Sequence, residues 1–167
     1  MSKLQELAEA MIAYERGCPE RIQHFLKVHD FARWIGEAEG LDPRTLEVLE
    51  AAALVHDIGI RPALEKYGSA AGPLQEREGA APAREMLESL GFDTELTDRV
   101  CRLVARHHTY QGVDGPDWQI LLEADYLVNS FEGGQSREAI LSALRNFFRT
   151  AAGTRMLLTM YGLEDPT

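Results

Sequence analysis

The sequence predicts an all-α fold, a compact bundle of about seven or eight helices. Apolar residues recur at helical spacing through most of the 167 residues, and almost no stretch alternates as a β-strand would. Helix-capping residues lie at the ends of these segments. Because no internal repeat or linker divides the chain, we expect residues 1–167 to form one domain.

Eight helices are predicted in order along the chain. Asp42 and Pro43 supply an N-cap and a first-turn proline for the third helix. Gly91 follows the fourth helix as a C-terminal cap, and Ser136 can cap the seventh. The predicted ranges, with ends accurate to about two to four residues, are 2–15, 19–39, 43–56, 74–90, 94–108, 117–131, 137–149 and 151–161.

Two places break the helical pattern. Pro82 falls within the fourth predicted helix, and it either kinks that helix or moves its start. The stretch from Gly59 to Gly72 lacks clear periodicity, so we expect a loop there, at the mouth of a site.

Composition excludes several classes of protein. With 17 basic and 27 acidic residues the net charge is -10, which opposes general binding of nucleic acid but not of a small phosphate ester held by metals and a few cations. The N-terminal residues mix apolar with charged side chains, unlike a signal peptide, and no apolar run approaches the roughly 18 residues of a membrane span. Cys18 and Cys101 form no disulfide framework, which predicts a reducing cytoplasm.

His24 is predicted to point into the core. On a helical wheel it falls within about 40° of Val28, Phe31 and Ile35, whereas His29 is turned about 140° away and is expected at the surface. A core histidine bonded to a carbonyl would explain His24 alone. The other polar residues at apolar positions favour a ligand.

His56 and Asp57 end the apolar run "AAALVHDIG". Side chains of neighbouring helical residues diverge by about 100°, but at the last turn of a helix this restriction relaxes, and Gly59 permits such an ending. A histidine and an aspartate presented together form a mixed nitrogen and oxygen chelate suited to a divalent cation.

Three further residues extend this polar set. Asp125 lies on the apolar face of "QILLEADYLVNSF", while Glu123 points elsewhere. A buried carboxylate needs a cation or several donors, although an N-cap or an ion pair with arginine would also explain it. His107 ends the apolar stripe of "RVCRLVARHHTY" and His108 flanks it, which suggests two ligands, or one ligand and a substrate contact.

Nitrogen and oxygen donors on the inner faces or ends of four helices are how helical bundles build metal sites. In order and spacing, "HFLKV", "ALVHDIG" and "LLEADYLVN" resemble the H…HD…D motif of the HD-domain superfamily of metal-dependent phosphohydrolases. The resemblance spans about residues 20–132, and we expect the helices over 137–161 to pack on that core. It implies one divalent metal, either Mn, Fe, Co, Ni, Mg or Zn, on the matching residues, which are His24, His56, Asp57 and Asp125.

Some members of that superfamily hold a second metal, bridged by the aspartate of the pair and bound by three further histidines. His107 and His108 resemble two of these three. Where the third is expected, before "GAAPAREML", this chain has Gln75, Glu76 and Glu78. We favour two metals with Glu76 as the replacement, because Glu78 can instead cap a helix; with one metal, the glutamate would act as an acid or base.

The resemblance implies hydrolysis of a phosphate ester by a metal-activated water. Asp57 would orient this nucleophile, with Glu76 as the further catalytic carboxylate. Arg61 and Lys66, in the predicted loop, are the cations we expect near the phosphoryl group and the leaving oxygen, although such residues in an acidic protein are more often surface charges.

Three functions remain open at this point. The first is a phosphohydrolase for a nucleotide or related metabolite, the second an iron-dependent oxygenase, which a minority of HD-domain proteins resemble, and the third a non-catalytic module that binds a metal or a nucleotide. The full H, HD and D set favours the first. A small acidic helical domain can also pair as a homodimer through an apolar helix face, although no heptad repeat identifies that face.

Overall fold

All the regular secondary structure of residues 1–165, the part that the structure describes, is helical. In this computed structural model the prediction of an all-α fold is confirmed. Residues 166 and 167 of the predicted domain lie outside the described part. The helices of residues 1–165 are α1 (Lys3–Tyr14), α2 (Pro19–Ala38), α3 (Pro43–Val55), α4 (Ile60–Tyr67), α5 (Gly72–Ser89), α6 (Thr94–Val104), α7 (Pro116–Glu132), α8 (Arg137–Asn146) and α9 (Ala151–Met160).

Side-chain caps fix several helix starts where the sequence predicts them. The carboxylate of Asp42 accepts a hydrogen bond from the Thr45 amide at 2.9 Å, and the hydroxyl of Ser136 accepts one from the Ala139 amide at 3.1 Å. Gly91 follows α5 with a φ of 78°, the left-handed conformation that ends many helices.

The predicted loop over Gly59 to Gly72 is wrong, because most of it is the helix α4. This helix has only eight residues, fewer than the roughly 11 over which helical periodicity can be recognised in a sequence. α5 begins at Gly72 and continues past Pro82, so the proline does not move its start.

α3 lies at the centre of the packing, with every residue from Val48 to Val55 buried, as expected for a helix that is apolar on all sides. α2 packs on α3 and α7, and α6 packs on α3 and α5. Near the C-terminus, α9 packs on α2 and α7, and Ile140 and Leu144 of α8 join the same core. The candidate ligands lie on α2 and α7 and in the turns that follow α3 and α6.

Two remaining features follow from the described residues. Cys18 and Cys101 are free, and Cys101 is buried in the core. Over residues 1–165, each helix is too short or too polar to cross a lipid bilayer.

Candidate metal centre

Two helices and one turn bring two histidines and two aspartates to a common point. His24 lies on the inner face of α2, His56 and Asp57 in the turn after α3, and Asp125 on the inner face of α7. The Nε2 atom of His24 lies 3.1 Å from Asp125 Oδ1 and 3.2 Å from Asp57 Oδ2. The Nε2 atom of His56 lies 3.3 Å from each of the same two oxygens and 3.3 Å from His24 Nε2.

This donor set fits a divalent cation. Ligands that stand about 2.0–2.2 Å from a metal at tetrahedral or octahedral angles are themselves roughly 3.0–3.5 Å apart. The two histidine nitrogens lie 3.1 to 3.3 Å from each other and from the two carboxylate oxygens. Two imidazole nitrogens with two carboxylate oxygens suit Mn, Fe, Co, Ni or Zn. We therefore call the set of His24, His56, Asp57 and Asp125 the first donor set.

The hydrogen bonds of two Nδ1 atoms determine which ring nitrogen of each histidine faces the donor set. The Nδ1 atom of His56 donates to the Ala53 carbonyl at 2.7 Å, and that of His107 donates to the Val104 carbonyl at 2.8 Å. With Nδ1 protonated and bonded outward, Nε2 is the atom free to bind a cation. Both carbonyls lie three residues before the histidine, so the local turn orients each ring.

A second donor set shares Asp57. The other carboxylate oxygen of Asp57, Oδ1, lies 3.3 Å from Nε2 of His107, and the His107 and His108 rings are 3.9 Å apart. Although His107 is 1% exposed, its Nε2 has no hydrogen-bond partner among the described residues. Because a buried nitrogen without a hydrogen bond is costly, this geometry favours a ligand bound by both His107 Nε2 and Asp57 Oδ1. We call Asp57, His107 and His108 the second donor set.

The three residues that stand where a third histidine is expected have different partners in the structure. Gln75 is buried, and its Oε1 lies 3.0 Å from Nε2 of His108. Glu76 instead accepts hydrogen bonds from the His108 amide and the Thr109 hydroxyl, both at 2.9 Å. Glu78 pairs with Lys66 on the surface at 3.2 Å. Gln75, rather than Glu76, therefore faces the second donor set.

The two cations predicted from the sequence do not line the cavity that opens beside the first donor set. Arg61 lies 3.4 Å from the buried carboxylate of Glu15, and Lys66 is 63% exposed beside Glu78. The cation that does line the cavity is Arg21, whose Nε lies 2.6 Å from Glu15. Arg21 stands three residues before His24, on the same side of α2, and this spacing was the signal available in the sequence.

A cavity of about 260 Å³ opens beside the first donor set. Asn129 and Glu132 lie on its wall, four and seven residues after Asp125, so helical spacing could have predicted both. The lining residues are Glu20, Arg21, His24, Asp57, Ile60, Gln75, His108, Asp125, Asn129 and Glu132.

Charge pairing decides the protonation of the first donor set. Burial lowers the pKa of His56, but the Asp57 and Asp125 carboxylates outweigh burial and hold that pKa well above its usual value. Burial raises the pKa of Asp57, but His56 and His107 outweigh it and hold the pKa well below the usual range. Burial and the nearby His107 lower the pKa of His108, which favours its neutral, ligating form.

Gly59 has a different role from the predicted one. Its φ of -73° is right-handed, so it does not end α3 in the way a left-handed glycine would. A Cβ at Gly59 would instead meet the backbone oxygen of Gln75 and lie 2.9 Å from the Gly79 nitrogen. The glycine lets the turn carrying His56 and Asp57 touch the backbone of α5.

One other sequence expectation, that for His29, also needs correction. His29 is half-buried rather than on the surface, because its Nε2 lies 2.9 Å from Glu50. Glu123 points away from the donor sets, as expected, but it is fully buried. It accepts hydrogen bonds from the Thr150 hydroxyl at 2.6 Å and from the amides of Arg149 and Thr150 at 3.1 Å.

An all-helical fold around clustered histidines and aspartates defines a candidate metalloprotein. The family model described as the HD domain matches residues 21–141, and the chain therefore belongs to the HD domain family. No curated protein matches the sequence.

Two solved structures resemble the fold. A crystal structure of a predicted HD superfamily hydrolase from an uncultured Thermotogales bacterium superposes with a TM-score of 0.68 at 24% identity, covering 95% of this chain and 84% of that one. The crystal structure of YpgQ from Bacillus subtilis gives a TM-score of 0.55 at 18% identity, covering 97% of this chain and 68% of that one. At these identities the likeness establishes the fold.

Proposed function

We propose that the protein is a metal-dependent phosphohydrolase acting on a phosphate ester of a small molecule, a nucleotide or a related metabolite. The convergence of four donor atoms carries this proposal, because the two histidine nitrogens lie 3.1 to 3.3 Å from each other and from the two carboxylate oxygens. Membership of the HD domain family supports it, as does the fold shared with a predicted HD superfamily hydrolase.

The ligands we assign to the first ion are His24, His56, Asp57 and Asp125. When bound, a divalent ion lowers the pKa of a coordinated water and offsets charge on phosphoryl oxygens. Asp57 presents one oxygen to each donor set and lies on the cavity wall, and we expect it to orient the attacking water. Because Arg21 lines the cavity, we expect it to donate hydrogen bonds to the phosphoryl oxygens.

The second donor set would hold a second ion, with Gln75 as its additional oxygen ligand. Because an amide oxygen is neutral, we expect this ion to bind more weakly than the first. Glu76 then acts by holding the turn that carries His108, rather than as an acid or base.

Metal analysis and a substrate panel test the proposal. Protein stripped with a chelator is reloaded with Mn, Co, Ni, Mg, Fe or Zn and assayed for phosphate release from phosphomonoesters and for cleavage of phosphodiesters. We expect activity only after reloading, and a loss of at least about 1,000-fold in Asp57→Ala. The matched control is Glu85→Ala, an exposed position on α5, which should retain full activity. Absence of ester cleavage with every metal would refute the proposal.

An iron-dependent oxygenase is the second candidate, because Asp57 stands between two adjacent donor sets, as a ligand bridging two irons would. Oxygen consumption by the iron-loaded protein, abolished under anaerobic conditions, would favour it. Phosphate release that continues without oxygen excludes it. A non-catalytic binding module would return each ligand of the panel unchanged.

We also propose a reducing cytoplasm as the site of action, because Cys18 and Cys101 are free. The net charge of -10 opposes general nucleic-acid binding and is compatible with a small phosphorylated substrate held by a metal and local cations, and no role at a membrane is proposed. A homodimer remains a proposal, for which sedimentation of the purified protein is the test.

A further inference from the structure

The histidines of the two donor sets are not held in the same way. His56 and His107 bond their outer nitrogens to backbone carbonyls of their own turns. His24 has no such carbonyl partner among the described residues. Its Nδ1 instead lies 3.2 Å and 3.3 Å from the two carboxylate oxygens of Glu132, so a side chain 108 residues away orients this ring.

Glu132 reaches His24 because of its place on α7. It lies seven residues after Asp125, and seven residues return to within about 20° of the same helical direction. One face of α7 therefore supplies both a candidate ligand, Asp125, and the carboxylate behind a second ligand, His24. On its other side Glu132 pairs with Lys27 at 3.1 Å, one turn after His24 on α2.

Helix stability does not account for a carboxylate at this position. Glu132 is the last residue of α7, where the negative end of the helix dipole disfavours an acidic side chain. Its ion pair with Lys27 is 35% to 42% exposed, and such surface pairs contribute little to folding. The remaining role is the contact with the buried histidine.

We propose that Glu132 is a positioning residue for metal binding, which orients His24 through its Nδ1 atom. The carboxylate accepts the Nδ1–H hydrogen bond, keeps Nε2 unprotonated and directed toward Asp57 and Asp125, and makes Nε2 a stronger donor to a cation. Lys27 keeps the carboxylate of Glu132 in place. This inference rests on the proposed metal site but not on the substrate or the reaction.

The first test measures metal affinity without any substrate. Mn²⁺ is titrated into chelator-stripped protein in competition with a fluorescent chelator, and the Kd is compared among variants. Loss of such an outer carboxylate typically weakens metal binding by about 10- to 100-fold, which is the result expected for Glu132→Ala. Glu132→Gln keeps an oxygen that can accept the Nδ1–H bond, so it should recover part of that loss.

The matched control is Glu20→Gln, which removes a negative charge from the wall of the same cavity but not from a partner of His24. A general effect of cavity charge would weaken Mn²⁺ binding equally in Glu20→Gln and Glu132→Gln. Orientation of His24 predicts a change of less than about threefold in Glu20→Gln. Thermal unfolding of the stripped proteins shows whether each variant is folded, since Glu132 is partly exposed and its removal should not unfold the chain.

The outcomes separate this inference from the proposed function. If the wild-type protein binds Mn²⁺ and Glu132→Ala binds it with the same Kd, the role of Glu132 is refuted and the metal site stands. If the wild-type protein binds no divalent ion, the metal site itself is refuted, and the role of Glu132 with it.

Discussion

At the scale of single residues, the centre depends on side chains whose charge would be costly without a partner. Asp125 is buried, and burial alone would raise its pKa; hydrogen bonds from His24 and His56 instead hold that pKa below the usual range. In the absence of a cation, protons shared among imidazoles and carboxylates balance the charge. A divalent ion would replace those protons.

This exchange predicts a pH dependence. Ion pairing in the metal-free centre stabilises the fold at pH values above 3.8, the ordinary pKa of a carboxylate, because the pKa of Asp57 is lowered in the fold. This stabilisation is lost as the pH rises through the pKa of His56, which the fold raises above 6.5. Because metal binding must release these protons, its stabilising effect should grow with pH. We expect Mn²⁺ to raise the melting temperature more at about pH 8 than at about pH 6. Equal shifts at both values would contradict the exchange.

Arg21 offers a second test at this scale. Arg21→Lys keeps a positive charge beside Glu15 but loses the planar pair of donors that suits a phosphate, so kcat/KM should fall about tenfold. Arg61→Lys is the control, because Arg61 is the other cationic partner of Glu15 and lies outside the cavity lining. Steady-state kinetics on the most rapidly cleaved ester of the panel measures kcat/KM for both variants. Equal effects of both substitutions would assign Arg21 to structure alone.

At the scale of helices, close backbone contacts hold the ligands at fixed distances. The turn carrying His56 and Asp57 touches α5 at Gly59, and Gly79 leaves room on α5 for Val104 of α6. A Cβ on Gly79 would lie 2.7 Å from Val104 Cγ1. Two glycines therefore let α3, α5 and α6 meet beside the donor sets.

Replacing Gly59 should displace this junction. Gly59→Ala places a methyl group against the Gln75 carbonyl, and overpacking of this kind costs about 3 kcal/mol. Gly36→Ala is the comparison, since its Cβ would meet only flexible leucine side chains, and its loss should be smaller. Urea denaturation of the two variants measures both losses. A loss for Gly59→Ala no greater than for Gly36→Ala would contradict the proposed contact.

The buried carboxylate of Glu123 holds the start of α9 against α7 through hydrogen bonds. Glu123 of α7 receives hydrogen bonds from the backbone and hydroxyl groups at the start of α9, including the amides of Arg149 and Thr150. We expect Glu123→Ala to reduce the free energy of unfolding by about 3 kcal/mol, because a fully buried side chain is removed and its several donors lose their acceptor. The exposed Glu9→Ala on α1 should change it by less than about 0.5 kcal/mol. Similar losses of unfolding free energy for the two variants in urea denaturation would contradict this role of Glu123.

At the scale of the whole molecule, the sequence predicts the fold class well, because long apolar periodicity and capping residues specify most helices independently of tertiary contacts. α4 escapes prediction because two helical turns with one buried residue resemble a loop. His29 was misplaced because the helical wheel does not show that Glu50, on the neighbouring α3, covers it.

The candidate site is predictable only in part, for a related reason. His24, His56, Asp57 and Asp125 interrupt apolar faces, and this interruption is visible in the sequence. Which of Gln75, Glu76 and Glu78 faces the second donor set depends on how α5 is rotated against the turn after α6, which tertiary packing decides. Ion pairs likewise draw Arg61 and Lys66 away from the cavity.

The central claim is that distant parts of the chain hold one divalent ion at a shared point. Anomalous diffraction from crystals grown with Mn²⁺ tests it most directly. The structure predicts a strong anomalous peak about 2.0–2.2 Å from the inner atoms of His24, His56, Asp57 and Asp125. Absence of such a peak from well-ordered crystals, or a peak bound by other residues alone, would contradict the claim.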